Sequence, residues 1–165
     1  MTSDMLRRVR ELEECRRGGV EYKNLRLGGK RTVLPGVSGR ILDLTVTIRP
    51  GSEGAPFCSF TMAAAVGEDR ETRIRYDREA GTVSVDRSRS GMPEKILNRR
   101  EFAVRNRGGE LQLRLLLDRY SLELFVNDGE QAASFGVFTP ETADGIWFEA
   151  DGSVLLDVEK YRLEF

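Results

Sequence analysis

The chain contains no histidine. That one absence removes the Ser-His-Asp triad, the Cys-His dyad and every histidine-based zinc site. Cysteine is nearly absent as well. Cys15 and Cys58 stand far apart and outside any Cys-x-x-Cys step, so both read as free thiols of a reducing compartment. Excess charge is missing: 26 basic residues face 27 acidic ones for a net of −1, which gives no field to attract nucleic acid or an anionic membrane. No apolar run approaches the roughly 20 residues that a bilayer-spanning helix needs. The opening residues, MTSDMLRRVRELEE, lack the apolar stretch of a secretory signal, and a cytoplasmic location is the expectation. No cofactor or metal motif is present, and none of these groups is expected.

What is present suits one folded domain. At 165 residues and 39% hydrophobic, the chain can enclose a sizeable core. Ser3 to Arg17 reads as a helix: Ser3 can cap it, Asp4 favours its positive end, and Leu6, Val9 and Leu12 recur at helical spacing. Gly18-Gly19 is expected to stop it. Its apolar stripe is narrow and needs a partner surface. Residues 1–19 are therefore expected to form a linker helix and residues 20–165 a separate β domain.

From Val20 onward strand signals take over. Leu42, Leu44, Val46 and Ile48 alternate with Ile41, Asp43, Thr45 and Thr47, which predicts a strand with one buried face and Asp43 on the other. Phe57 to Val66 suits a central strand. Glu71 to Tyr76 alternates, and Asp77 to Gly81 turns into Thr82 to Asp86. Phe102 and Val104 mark a short strand, with Arg99, Arg100 and Glu101 as a charged, solvated edge. Arg107-Gly108-Gly109 is a turn. Leu111 to Asp118 and Leu122 to Val126 follow. Asn127-Asp128-Gly129-Glu130 predicts a tight type I′ hairpin turn, with Ala133 to Phe138 pairing back. Ile146 to Glu149 is short. Val154, Leu156 and Val158 fall out of phase with Tyr161, Leu163 and Phe165, which predicts a bulge. About ten short strands, with 17 glycines to serve the turns, specify an all-β fold: a two-sheet antiparallel β-sandwich of the concanavalin- or galectin-like jelly-roll kind, with a short N-terminal helix.

Two segments carry a further signal. Asp86-Arg87-Ser88-Arg89-Ser90-Gly91 follows the strand Glu71 to Asp77, and Asp118-Arg119-Tyr120-Ser121-Leu122-Glu123-Leu124-Phe125-Val126-Asn127-Asp128-Gly129-Glu130 repeats the Asp-Arg step. In this order they resemble the C-terminal β-sandwich of family-32 glycoside hydrolases, the invertases, levanases and sucrose-6-phosphate hydrolases. The likeness runs from about Leu42 to Phe165, and Ser3 to Arg17 resembles the family's linker helix. Tyr120 stands where the family usually has Ser, and Ala132-Ala133-Ser134 departs from its usual run. In that family catalysis resides in an N-terminal β-propeller, whose Asp-nucleophile and Arg-Asp-Pro motifs are absent from this sequence. Glu14-Cys15 matches the acid/base motif in letters only, within a charged helix. No residue is thus expected to be catalytic. The resemblance implies a non-catalytic module that packs on and stabilises a catalytic propeller of a β-fructofuranosidase, or, because a related sandwich binds fructans, an independent levan- or inulin-binding module. The expected partners are that propeller or a fructan or sucrose-type sugar.

Sugar sites use charged forks and carboxylates on hydroxyls, often with an aromatic plate. The candidates are Glu71, Arg73, Arg87, Asp118, Arg119 and Glu123, with Trp147 as the one tryptophan. The competing expectation is structural: a strand-end Asp accepts backbone N–H bonds in the following turn, and its Arg ties hairpins together through a carboxylate. Trp147, in the apolar step GIWFE, is expected to pack in a core or against a neighbouring domain.

Overall fold

A computed structural model describes residues 2–90, 99–105, 109–137 and 139–165. One helix, α1 (Ser3–Glu14), precedes eleven strands: β1 (Arg16–Arg26), β2 (Leu42–Pro50), β3 (Ser59–Val66), β4 (Glu71–Asp77), β5 (Thr82–Arg89), β6 (Arg99–Ala103), β7 (Leu111–Leu117), β8 (Ser121–Val126), β9 (Gln131–Gly136), β10 (Gly145–Ala150) and β11 (Val154–Leu163). All ladders pair antiparallel. They form a six-stranded sheet in the order β1-β11-β2-β7-β8-β9 and a five-stranded sheet in the order β10-β3-β4-β5-β6. The two sheets enclose one hydrophobic core, the sandwich that the strand pattern predicts.

The alternation places the core. Leu42, Leu44, Val46 and Ile48 of β2, Leu111, Leu113, Leu115 and Leu117 of β7, and Leu122, Leu124 and Val126 of β8 are fully buried between the sheets. From the five-stranded sheet Phe60, Met62, Ile74, Tyr76, Val83, Val85 and Phe148 meet them. Fully burying one such side chain is worth about 1.5–3 kcal/mol. The charged strand β6 lies at a sheet edge, with Arg99, Arg100 and Glu101 exposed.

Four local expectations need correction. The helix ends at Glu14, not Arg17, and its cap is the Thr2 side chain, which accepts from the Met5 N–H at 3.3 Å. Gly18 and Gly19 do not end a helix; they lie inside β1. There a register shift between Arg17 and Gly19 bulges the strand, and Gly18 takes φ 55. A second shift follows Tyr22, where Asn24 sits at φ 51 and donates its N–H to Asp157 at 2.8 Å. Arg49 holds Asp157 from the other side at 2.7 and 3.1 Å. The Arg49 hydrogen bond keeps the Asp157 carboxyl below the usual carboxylate range, burial notwithstanding.

The bulge expected between Val158 and Tyr161 does not occur: β11 pairs with β2 in one unbroken register from Val154 to Arg162. The apolar residues change phase because they change face. Val154, Leu156 and Val158 point into the core, whereas Leu163 is buried on the outer face beneath α1. The β8–β9 connection is also longer than a two-residue turn. Val126 pairs with Gln131, and Asn127, Asp128 and Gly129 all take positive φ within a four-residue loop. The Asn127 side chain closes it by accepting the Gln112 N–H at 3.0 Å. The predicted turn at Arg107-Gly108-Gly109 lies partly, and the pairing of Phe138 wholly, outside the described residues.

Candidate functional site

The six candidate residues do not converge on one place. Their positions follow from the register. On the outer face of the six-stranded sheet Tyr161, Asp43, Leu116 and Glu123 lie in one row across β11, β2, β7 and β8. The helix α1 crosses this face. Its Arg8 donates to Glu123 at 2.8 Å and to Asp118 at 3.4 Å, and Leu12 borders a small recess with Leu116 and Leu163. Glu13 meets Arg114 at 3.0 Å. Beneath them Asp43, 1% exposed, accepts from Arg16 at 2.6 and 2.7 Å and from Arg114 at 2.8 and 3.0 Å. Burial acts to lower the Arg114 pKa, but the bonds and charges of Asp43 and Glu13 prevail and raise it. Arg16 also stacks on Tyr161, 4.7 Å from the ring centre.

Asp118 therefore serves the fold. Its Oδ1 accepts the N–H groups of Tyr120 and Ser121 at 3.1 and 2.9 Å, closing the β7–β8 turn. Asp86 accepts the Ser88 N–H at 2.9 Å inside β5, where the pairing with β4 shifts register between Asp86 and Arg89. Arg119 points elsewhere, to an exposed pair with Glu141 at 3.4 Å. Arg87 crosses the sandwich from β5, donating to the Gly136 carbonyl at 3.2 Å and lying 5.0 Å from the Phe135 ring centre. The Asp118-Arg119 step thus stabilises the β7–β8 turn, the Asp86 carboxylate stabilises the register shift at the end of β5, and Arg87 joins β5 to β9 through a carbonyl.

Glu123 is buried, and burial pushes its carboxyl up, Arg8 pulls it down, and Asp118 pushes it up again; the net direction is up. A carboxyl with a raised folded pKa binds its proton more tightly folded than unfolded. Its burial penalty is absent below the unfolded value, grows as pH rises from there to the folded one, and is complete above it. Glu123→Gln is accordingly expected to be more stable than the parent at pH 7, with the gap closing by pH 4. Calorimetry at both pH values checks this; a glutamine variant less stable at pH 7 contradicts it.

Glu71 and Arg73 sit on the opposite side of the molecule, on the outer face of the five-stranded sheet. Trp147, Ala63, Arg73, Asp86 and Arg99 form one row across it. Glu71, 6% exposed, accepts from Arg73 at 2.7 Å and Arg89 at 3.4 Å. Glu71, Arg73, Asp86, Ser88 and Arg89 line an open polar pocket of about 230 Å³. Beside it Trp147 is 6% exposed because Arg31 and Arg73 lie over its ring, 4.1 and 5.4 Å from its centre. Trp147 is thus outside the inter-sheet core, covered by cations.

Sequence reasoning missed Arg40 altogether. It is 6% exposed, and its guanidinium donates to the carbonyls of Asp118, Arg119 and Thr139 at 3.3, 3.0 and 3.0 Å. An isolated arginine between a glycine and a strand gives no pattern that would reveal such a role.

Residues 11–163 match the family described as Glycosyl hydrolases family 32 C terminal. The chain belongs to that family. Family-32 relatives include the levanase of Bacillus subtilis (strain 168), 30% identical over 154 residues, a match that covers 88% of this chain and 22% of the levanase. The sucrose-6-phosphate hydrolase of Staphylococcus xylosus is 34% identical over 98 residues, 56% of this chain and 19% of that enzyme. Among solved structures the exo-inulinase of Aspergillus awamori shares the fold with a TM-score of 0.73 at 16% identity, covering 93% of this chain and 31% of the inulinase. This family-32 chain therefore spans about a fifth of the length of those two curated relatives.

Proposed function

We propose that the chain is the non-catalytic C-terminal β-sandwich of a β-fructofuranosidase of the sucrose or sucrose-6-phosphate hydrolase type, and that it packs on and stabilises a catalytic propeller. The observation that carries this reading is the coverage: nearly all of this chain matches only 22% of the B. subtilis levanase and 31% of the A. awamori inulinase. The remainder of each relative is where its catalytic parts are to be sought. The candidate carboxylates support the reading, since Asp118, Glu123 and Glu71 are engaged by backbone N–H groups or arginines. In this proposal α1 is the link to the preceding domain. Its Leu6, 45% exposed, leaves part of the apolar stripe available for that contact.

The second reading, a fructan-binding module, has its own support. The Glu71–Arg73–Asp86–Arg89 pocket offers charged forks and carboxylates beside an aromatic ring, which is sugar-site chemistry. Affinity electrophoresis through levan and inulin gels separates the two. The accessory reading predicts migration equal to a non-binding control and no release of fructose from sucrose, levan or inulin. Selective retardation, abolished by Arg73→Ala but unchanged by Arg119→Ala, would replace it with the fructan-binding reading. Fructose release by the purified chain would sink both.

A further inference from the structure

At the end of the sandwich where β11 finishes, a pocket of about 280 Å³ opens between the loop at Ser38–Ile41, the β7–β8 turn and the last residues of β11. Arg40, Arg119, Lys160 and Arg162 line it together with one carboxylate, Glu141. Four cations against one carboxylate is a local excess in a chain whose net charge is only −1. Two of these charges are already balanced: Arg119 pairs with Glu141 at 3.4 Å and Arg162 with Glu164 at 2.5 Å, all in exposed positions.

The other two form no ion pair among the described residues. Arg40 is buried and, among the described residues, bonded only to carbonyl oxygens, with Glu141 and Asp118 acting on its charge without a direct bond. Lys160 is half-buried. Its register beside Leu44 and Val20 points it to the inner side of the sheet, beyond the last core valine, Val158. Among the described residues its ammonium makes no hydrogen bond or ion pair. Burial lowers the pKa of both, outweighing the upward pull of Glu141 and Asp118 on Arg40, and Arg162 lowers that of Lys160 further. A half-buried, unpaired ammonium beside like charges opposes folding. It gains a counter-charge when an anion enters the pocket.

We propose that this pocket binds a small phosphate-type oxyanion, with Lys160 and Arg162 donating to it, Arg119 at its rim and Arg40 as a fixed positive charge in its wall. The oxyanion would take the hydrogen bonds that Lys160 lacks and offset the charge that Arg40 carries behind it. A phosphate suits this set better than a single carboxylate, because it spreads about two negative charges over several acceptor oxygens.

The test is a titration of the ¹⁵N-labelled chain with inorganic phosphate at low ionic strength, followed by amide chemical shifts. Saturable shifts confined to Ser38–Ile41 and the end of β11 are expected, with phosphate binding at least about tenfold tighter than acetate. Lys160→Gln should weaken phosphate about tenfold or more without lowering the melting temperature, since it removes an unpaired cation. Arg162→Gln, on an exposed side chain, provides a second weakened variant that keeps the fold. Absence of saturable shifts overturns the proposal. So does an unchanged dissociation constant in both variants, or equal binding of phosphate and acetate.

Discussion

Asp43→Ala should destabilise the protein by about 3–5 kcal/mol, a fall of roughly 10 °C in melting temperature for a chain of this size. The carboxylate is 1% exposed and receives four short donor contacts from Arg16 and Arg114. Removing it leaves the guanidinium of Arg114, largely shielded by α1 and the sheet, with Glu13 as its remaining carboxylate at 3.0 Å. Breaking a buried pair from one side costs more than the pair contributes, because the stranded charge keeps its desolvation penalty. The loss should extend to the helix. Arg16 begins β1 directly after α1, and Arg114 holds Glu13 of α1. Hydrogen exchange in α1 should therefore rise more than exchange in β3 or β4, on the other sheet. Denaturant melts of Asp43→Ala beside Asp43→Ala/Arg114→Met decide the mechanism. If the double variant recovers part of the loss, the stranded arginine is the cause. A single variant within 1 kcal/mol of the parent would show that the clamp has little energetic weight.

Asp43 also shows where the sequence is legible. Its strand could be read because Leu42, Leu44, Val46 and Ile48 keep period two, and that period places them in the core. The same period puts Asp43 on the other face, where a charge reads as solvated. It is buried because α1 and two arginines cover that face, and nothing local records the arrival of a helix from 30 residues upstream. Leu116, Phe125 and Leu163 are buried on the outer face as well. They break the alternation of β7, β8 and β11, and at β11 the break reads as a bulge. The edge strand β1 was the least legible element. Its two irregularities at Gly18 and Asn24 destroy any period. Asp118 marks the turn it stabilises, so its local part could be anticipated, whereas Asp86 stabilises an irregularity inside β5. Their long-range partners could not: Arg8 reaches Asp118 and Arg40 reaches three carbonyls through contacts 78 to 110 residues apart in sequence.

Arg40→Met should cost about 3 kcal/mol, the second large effect, and for a different reason. Here no carboxylate is orphaned. Three carbonyls are, at Asp118, Arg119 and Thr139, and a buried acceptor left without a donor costs about 1–3 kcal/mol. Methionine fills much of the volume and removes the desolvation penalty of the guanidinium, which offsets part of that loss. The damage should be local: the β7–β8 turn and the segment after β9 lose their common anchor. Amide exchange at Tyr120, Ser121 and Val137 should accelerate, because the Val137 N–H donates to the Tyr120 carbonyl at 2.8 Å in this same corner. Exchange in β3 and β4 should change only by the global loss. Arg40→Lys separates charge from geometry, since one ammonium cannot reproduce the planar fork that serves three carbonyls. If lysine restores full stability, positive charge is what this corner requires. If lysine falls with methionine, the fork itself holds the two connections together.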